Sequence, residues 1–382
     1  MLTKNEELNN GTVFFDDVEL QSVSLKTPLN RSLTTNKSKE LSSDGFNGMT
    51  DEIVSTSHGE FLVSWKGDRS KPAMLMFHDL GLNAISNFRA FVNYPDVAEI
   101  LQNFCIFCVN APGQEEGAPL WPDDKVYPTM EDLAESISEI LNHFAVVKYI
   151  GNLKNGSHWL IECKIINAFH FHELKFPILL AGVGVGMGGN VLLRHALKYA
   201  ERVDSLMLVN TLITSCGWIE WGYQKRNINQ MRQHGITQTV LDYLMWHHFG
   251  ASADLRSHDL VTVYQQYFSN EVQAKNLAKL TEQYIWRTAV EIYRDNNMEG
   301  KGDTKTLKIP ILNVVGSYSP FVDETVTLNG NLNPINTNWI KIQDAAMVLE
   351  EQPGKISQAF LLFMQGQGYC LRMRKNCNQT LI

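Results

Sequence analysis

GVGVGMGG, residues 182–189, places five glycines in eight positions. Glycine at that density lets backbone turn sharply, or approach another backbone where a Cβ would clash. Three glycine motifs compete for the stretch. Gly184, Gly186 and Gly189 satisfy the dinucleotide-binding G-x-G-x-x-G, and a helical run, VLLRHALKYA, follows. That fingerprint wants an acidic residue about 20 positions on, at the end of the next strand. The next strand, SLMLVN, ends in Asn210. A P-loop needs Lys and then Ser or Thr after its glycines, and Asn190-Val191 supplies neither. The third motif is the strand–turn–helix elbow G-x-S-x-G that presents a nucleophilic serine. Gly184-Val185-Gly186-Met187-Gly188 keeps the flanking glycines and the helix, with Gly186 where the serine belongs.

Around this turn the chain alternates. EFLVSW, AMLMFH, FCIFCVN, SLMLVN and PILNVVG read as strands. PTMEDLAESISEILNHF reads as an amphipathic helix with Leu133, Ile137, Ile140, Leu141 and Phe144 on one face. ISQAFLLFMQG reads as a final helix. Strands alternating with helices predict an α/β fold with a mostly parallel sheet covered on both faces. Residues 217–298 break the alternation, look all-helical and carry many aromatics, so a helical cap is expected at about 215–300. Trp218 and Trp221 are spaced as one helix face and read as packing between cap and sheet. Residues 1–50, rich in Ser, Thr, Asn and Lys, read as a flexible leader, and 371–382 as a short, basic, solvated tail.

Composition narrows the function. The 382 residues are 44% apolar and 19% charged, with a net charge of −8, so nucleic-acid binding has no electrostatic support. No run of about 18 apolar residues predicts a membrane span, and MLTKNEELNNGTVFF is too polar for a signal peptide. The six cysteines form no tight framework, which fits a reducing compartment. Cys105 and Cys108 fall in an apolar strand and read as core residues rather than a redox or metal pair. His170 and His172 flank Phe171, and no other cluster suggests a metal; no cofactor is expected.

The elbow aligns the rest of the chain with the α/β-hydrolases by resemblance. Gly316-Ser317-Tyr318-Ser319 follows the strand that usually delivers the catalytic acid, with Ser319 at the acid's place. Ala345-Ala346-Met347 resembles the loop that usually reads Gly-His, with Ala346 at the histidine's place. The Ser-His-Asp mechanism needs a base to take the nucleophile's proton, so Gly186, Ser319 and Ala346 mark a degenerate triad. The usual His-Gly after the early strand is here His78-Asp79. A carboxylate there opposes charge developing at the oxyanion site. His78, Asp79 and Met187 therefore outline a vestigial oxyanion pocket, with His78 read as a buried structural histidine.

FHDLGLN (77–83), VNAPGQEEGAP (109–119), YPTMEDLAE (127–135), GWIEW (217–221), NGNLNPINTNWIKIQD (329–344) and FMQGQGY (363–369) resemble the N-myc downstream-regulated protein family. The resemblance spans roughly residues 53–370 and implies a non-catalytic α/β-hydrolase fold. It further implies a cytoplasmic protein linked to signalling, differentiation and stress responses through protein partners. Many relatives carry a long Ser/Thr-rich tail, which this chain lacks up to Ile382.

Residues 151–181, GNLKNGSHWLIECKIINAFHFHELKFPILLA, sit where the family runs from strand directly into elbow. Without them VVKYI would join GVGVGMGG as one strand. Gly151-Asn152 can be encoded with an internal GTAA, and Phe176 to Gly182 as a pyrimidine-rich tract ending in GCAG. The segment is read as a translated retained intron or gene-model error, with a surface loop as the alternative. Two other functions stand beside the pseudo-hydrolase reading. One is a hydrolase with a displaced nucleophile, Cys216 or Ser319. The other is a small-molecule binder using the pocket between core and cap.

Overall fold

A computed structural model of the chain describes residues 46–144, 147–149, 175–177, 180–251, 256–294 and 306–369. The strands are β1 (Thr50–Thr56), β2 (Gly59–Lys66), β3 (Ala73–Phe77), β4 (Cys105–Val109), β5 (Val147–Tyr149), β6 (Lys175–Pro177), β7 (Leu180–Val185), β8 (Val203–Val209), β9 (Ile311–Gly316) and β10 (Thr337–Ile342). Eight of them form one sheet in the order β1-β2-β4-β3-β7-β8-β9-β10. β2 runs antiparallel to both neighbours, and every pairing from β4 to β10 is parallel. β3, β4, β7 and β9 are buried along their whole length. Strands covered on both faces read as continuous apolar runs, which is why AMLMF and CIFCV lack alternation.

The helices are α1 (Ala84–Asn93), α2 (Pro95–Leu101), α3 (Met130–His143), α4 (Met187–Lys198), α5 (Trp218–His234), α6 (Gln238–Phe249), α7 (His258–Asn270), α8 (Ala274–Ile285), α9 (Val322–Asn331), α10 (Val348–Glu351) and α11 (Pro353–Gly366). On one face of the sheet Phe88, Phe91, Ile100 and Phe360 of α1, α2 and α11 pack on Met74, Met76, Val183 and Val314. On the other, Leu133, Ile137 and Leu192 of α3 and α4 pack on Leu75, Phe77 and Leu206. α3 starts where Thr129 Oγ1 accepts the Asp132 N–H (3.1 Å) and Asp132 Oδ2 accepts the Thr129 N–H (3.0 Å). Such a capping box satisfies two donors that the first turn leaves orphaned. Cys105 belongs to one apolar layer and Cys108 to the other. Three residues apart on a strand, they point to opposite faces. Burial pushes the thiols up to about 11 and about 12, so both are inert core groups.

Several expectations need correction. The leader assigned to residues 1–50 is too long. Phe46 is buried against the α1–α2–α11 side, and Thr50 opens β1. Residues 1–45 and the tail assigned to 371–382 lie outside the described residues. Among the described residues, helix between β8 and β9 ends at Ile285, and the chain from Arg287 to Arg294 runs without it. There Val290 N–H donates to Ile213 O (2.7 Å), which ties the run back to the start of the helical region. Trp218 does not pack between cap and sheet: it is 89% exposed. The buried stripe of α5 is Gln224, Asn227, Ile228 and Met231, and it begins only after the first helical turn.

Val147–Tyr149 does not continue into the elbow strand. It pairs antiparallel with Lys175–Pro177 in a separate two-stranded sheet, and the central strand starts at Leu180. The end of the suspected insertion thus supplies Leu180 and Ala181 to β7, where they pair with β3 and β8. The cause is connectivity. The residues immediately before the glycines fill the strand, so Leu180 and Ala181 stand where Tyr149 and Ile150 would otherwise fall. Most of residues 151–181 lies outside the described residues.

Candidate functional site

β7 ends and α4 begins at Gly186, whose φ of 49° and ψ of −111° make a sharp turn. Positive φ is strained for residues with a Cβ. The turn is held by the Gly186 N–H donating to Val209 O (2.8 Å). Its other glycines serve close packing. A Cβ at Gly188 would collide with the Phe77 carbonyl, and one at Gly189 with the Thr211 side chain. A Cβ at Gly186 would land on the Asp79 carboxylate itself. The space a nucleophilic side chain would occupy is taken by Asp79.

Asp79 sits in the loop between β3 and α1 and is 3% exposed. Its Oδ1 accepts two backbone N–H groups, from Leu80 (2.7 Å) and Met187 (2.8 Å). One comes from the loop after β3 and the other from the residue after the elbow position. Those are the two places from which an α/β-hydrolase elbow draws its oxyanion hole. An internal carboxylate therefore occupies that hole, at the N-terminus of α4, where the helix dipole favours an anion. The remaining oxygen, Oδ2, is 3.0 Å from His247 Nε2 and 3.9 Å from His248 Nδ1, both on α6. Burial opposes the charge on Asp79. His247, His248 and the Met187 N–H outweigh it and hold the carboxyl at about 2.

His78 Nε2 accepts the Ala111 N–H (2.9 Å), so its proton sits on Nδ1 and is donated to Asp79 O (2.8 Å). Burial pushes the ring down to about 4, which keeps it neutral. Met187 contributes its N–H to the site, while its side chain is in the core. Ser319 is buried, and its Oγ accepts the Phe321 N–H (3.2 Å). Ala346 is buried, with its N–H on Glu351 Oε2 (2.6 Å). The loops bearing these two residues are joined through Asn210 at the end of β8. Its Nδ2 donates to Ala346 O (2.8 Å) and its Oδ1 accepts the Gly316 N–H (3.1 Å). Cys216 Sγ has a weak contact to Gly217 O (3.6 Å). Burial and then Glu220 push its thiol up to about 12.

The sequence reading missed His247, His248 and Asn210 as parts of the site, and it found no metal-like cluster. In the structure Asp79, His247 and His248 converge, with one potential ligand atom from each within 4.8 Å of the others. The signal available in sequence was the pair His247-His248 in the aromatic run YLMWHHF. A small cavity of about 20 Å³ opens beside them, lined in part by Asn87, Asn210 and Glu350. That is room for a water molecule and not for an ester substrate.

The Ndr family profile matches residues 51–156 and 163–371. The chain belongs to the Ndr family. The gap in the match, 157–162, falls inside the stretch read as an insertion, and the profile spans the rest of that stretch. Among the family's proteins, NDRG3 of Xenopus laevis is 32% identical over 354 residues, 92% of this chain and 84% of the relative. NDRG4 of Xenopus tropicalis is 30% identical over 368 residues, 94% of this chain and 81% of the relative. Solved structures give the fold of this Ndr chain as α/β-hydrolase. A thermophilic esterase from Thermogutta terrifontis superposes with TM-score 0.60 at 16% identity, covering 83% of this chain and 99% of that one. An enol-lactonase from Burkholderia xenovorans gives 0.58 at 14%, covering 82% and 100%. No helix among the described residues is long and apolar enough to cross a membrane.

Proposed function

We propose that this Ndr-family chain is a pseudo-hydrolase, lacking the Ser-His-Asp triad, that works in the cytoplasm through protein partners in signalling, differentiation or stress response. One observation carries the non-catalytic part. The Asp79 carboxylate fills both the oxyanion position and the space above Gly186. A tetrahedral intermediate needs those N–H donors for its own oxyanion, and here a permanent internal anion holds them. The displaced-nucleophile alternative finds little support. Ser319 Oγ is engaged by the Phe321 N–H, and the Cys216 thiol is pushed away from thiolate. The interaction part draws support from Trp218, Ile219 and Trp286, which are 89%, 91% and 61% exposed. Exposed apolar clusters are a common mark of contact surfaces.

The test is a panel of activated esters and thioesters, run with chelator and with added zinc, on wild type, Cys216→Ala and Ser319→Ala. Hydrolysis at the buffer rate by all three is the expected result. Saturable turnover by wild type that disappears in either variant would return the chain to the enzymes.

A further inference from the structure

The Asp79–His247–His248 cluster does more in this geometry than neutralise a buried charge. His248 Nε2 lies 3.0 Å from the Leu80 carbonyl oxygen. A carbonyl only accepts, so Nε2 carries the proton and donates it. In the neutral ring Nδ1 is then a bare lone pair, and the charged group it faces is Asp79 Oδ2, 3.9 Å away. Asp79 Oδ2 thus lies between two imidazole nitrogens, His247 Nε2 at 3.0 Å and His248 Nδ1 at 3.9 Å, which a cation replacing the His247 proton would draw together.

Each ligand also has the outer partner that orients metal ligands. Leu80 O fixes the His248 tautomer with Nδ1 bare. The Tyr243 hydroxyl, 3.3 Å from His247 Nδ1, can accept that ring's proton when Nε2 binds a cation. Leu80 and Met187 N–H groups lock Asp79 Oδ1 and leave Oδ2 as a one-oxygen ligand. In a tetrahedral zinc site the ligand atoms stand roughly 3.3 Å apart, given metal–ligand bonds of about 2.0–2.2 Å. The Oδ2 separations of 3.0 and 3.9 Å bracket that spacing.

We propose that Asp79 Oδ2, His247 Nε2 and His248 Nδ1 bind one divalent transition-metal ion of the zinc class, with a water in the adjoining cavity as fourth ligand. Two imidazoles and a carboxylate suit zinc, cobalt and nickel better than magnesium or calcium. The ion takes up Oδ2 and leaves Oδ1 in the oxyanion hole, so the site stands independently of the partner-binding role proposed above.

The test uses the full chain without an affinity tag, stripped with chelator and titrated with Co²⁺ while visible d–d absorption is read, then challenged with Zn²⁺. Saturation at one equivalent and displacement by Zn²⁺ are expected. His248→Gln should weaken binding by at least about 100-fold, with an unchanged far-UV circular dichroism spectrum. Asp79→Asn, which keeps the side chain's shape, should show the same loss and serves if His248→Gln does not fold. The double variant His170→Gln/His172→Gln should bind as wild type does. The proposal is overturned by absence of saturable binding to wild type. It is equally overturned by binding that persists in His248→Gln, or that vanishes only in the His170/His172 variant.

Discussion

At position 186 the choice of glycine is coupled to the choice of aspartate at position 79. A hydrolase places a small residue at the second site so that the serine has room. Here the bulk sits on Asp79, and glycine at 186 is what remains compatible with it. The same scale shows what an exposed aromatic is worth. Trp218 touches Trp221 edge to face, with centroids 6.5 Å apart, yet is 89% exposed. Trp218→Ala should therefore change the free energy of unfolding by no more than about 0.5 kcal/mol. A chemical denaturation curve checks this; a loss of several kcal/mol would put Trp218 back in the core.

At the scale of elements, the sequence was most legible where one period dominates. The apolar runs became β3, β4, β8 and β9, and the 3.6-residue pattern from Met130 became α3. The elbow was legible because close packing demands glycine at 188 and 189 whatever the chemistry. The site was not, because its parts meet only through tertiary structure. Asp79 and His247 lie 168 residues apart, and in sequence His247-His248 is an ordinary pair in an aromatic helix. In sequence Asn210 stands out only as lacking the acidic side chain of a ribose ligand. Its positive φ of 51° and its two hydrogen bonds across strand ends need the folded sheet to be seen. The segment 151–181 is also an element-scale question. Its removal would put Tyr149 and Ile150 in the places of Leu180 and Ala181, both apolar substitutes, so β7 can be built either way. We propose that spliced transcripts lacking its codons exist. Sequencing across Ile150 and Gly182 tests this, and finding the segment in every transcript would end the retained-intron reading.

The whole molecule carries a pH signature from its buried histidines. Burial pushes His78, His195 and His248 from 6.5 down to about 4. Between those values the unfolded chain binds protons that the folded chain refuses, so stability is complete above about pH 6.5 and falls as pH drops toward 4. Each ring contributes on the order of 3 kcal/mol to that fall. Glu350 runs the other way. Burial raises its carboxyl to about 7, so the folded chain holds an extra proton between 4.5 and 7 and offsets one histidine. Asp79, held at about 2, adds a second loss as pH falls from 3.8 toward 2. Denaturation curves in chelator at about pH 7.5, 5.5 and 4.5 should show a steady decline in unfolding free energy. Constant stability across that range would mean that these histidines titrate in the folded state as they do in the unfolded chain.

The proposed exchange of a nucleophile for an internal carboxylate is tested most directly by a double-mutant cycle on Gly186→Ser and Asp79→Ala, read as unfolding free energies in denaturant. Gly186→Ser alone drives a side chain into the carboxylate and should cost roughly 3 kcal/mol through overpacking and strained φ. Asp79→Ala alone orphans two buried N–H groups and removes the acceptor of the His247 hydrogen bond, at a cost of about 3 kcal/mol. If the two side chains compete for one space, the double variant should be less destabilised than the two costs combined by more than about 1 kcal/mol. Costs that add to within about 0.5 kcal/mol would contradict the account, since they would mean Asp79 and the elbow position do not share that space.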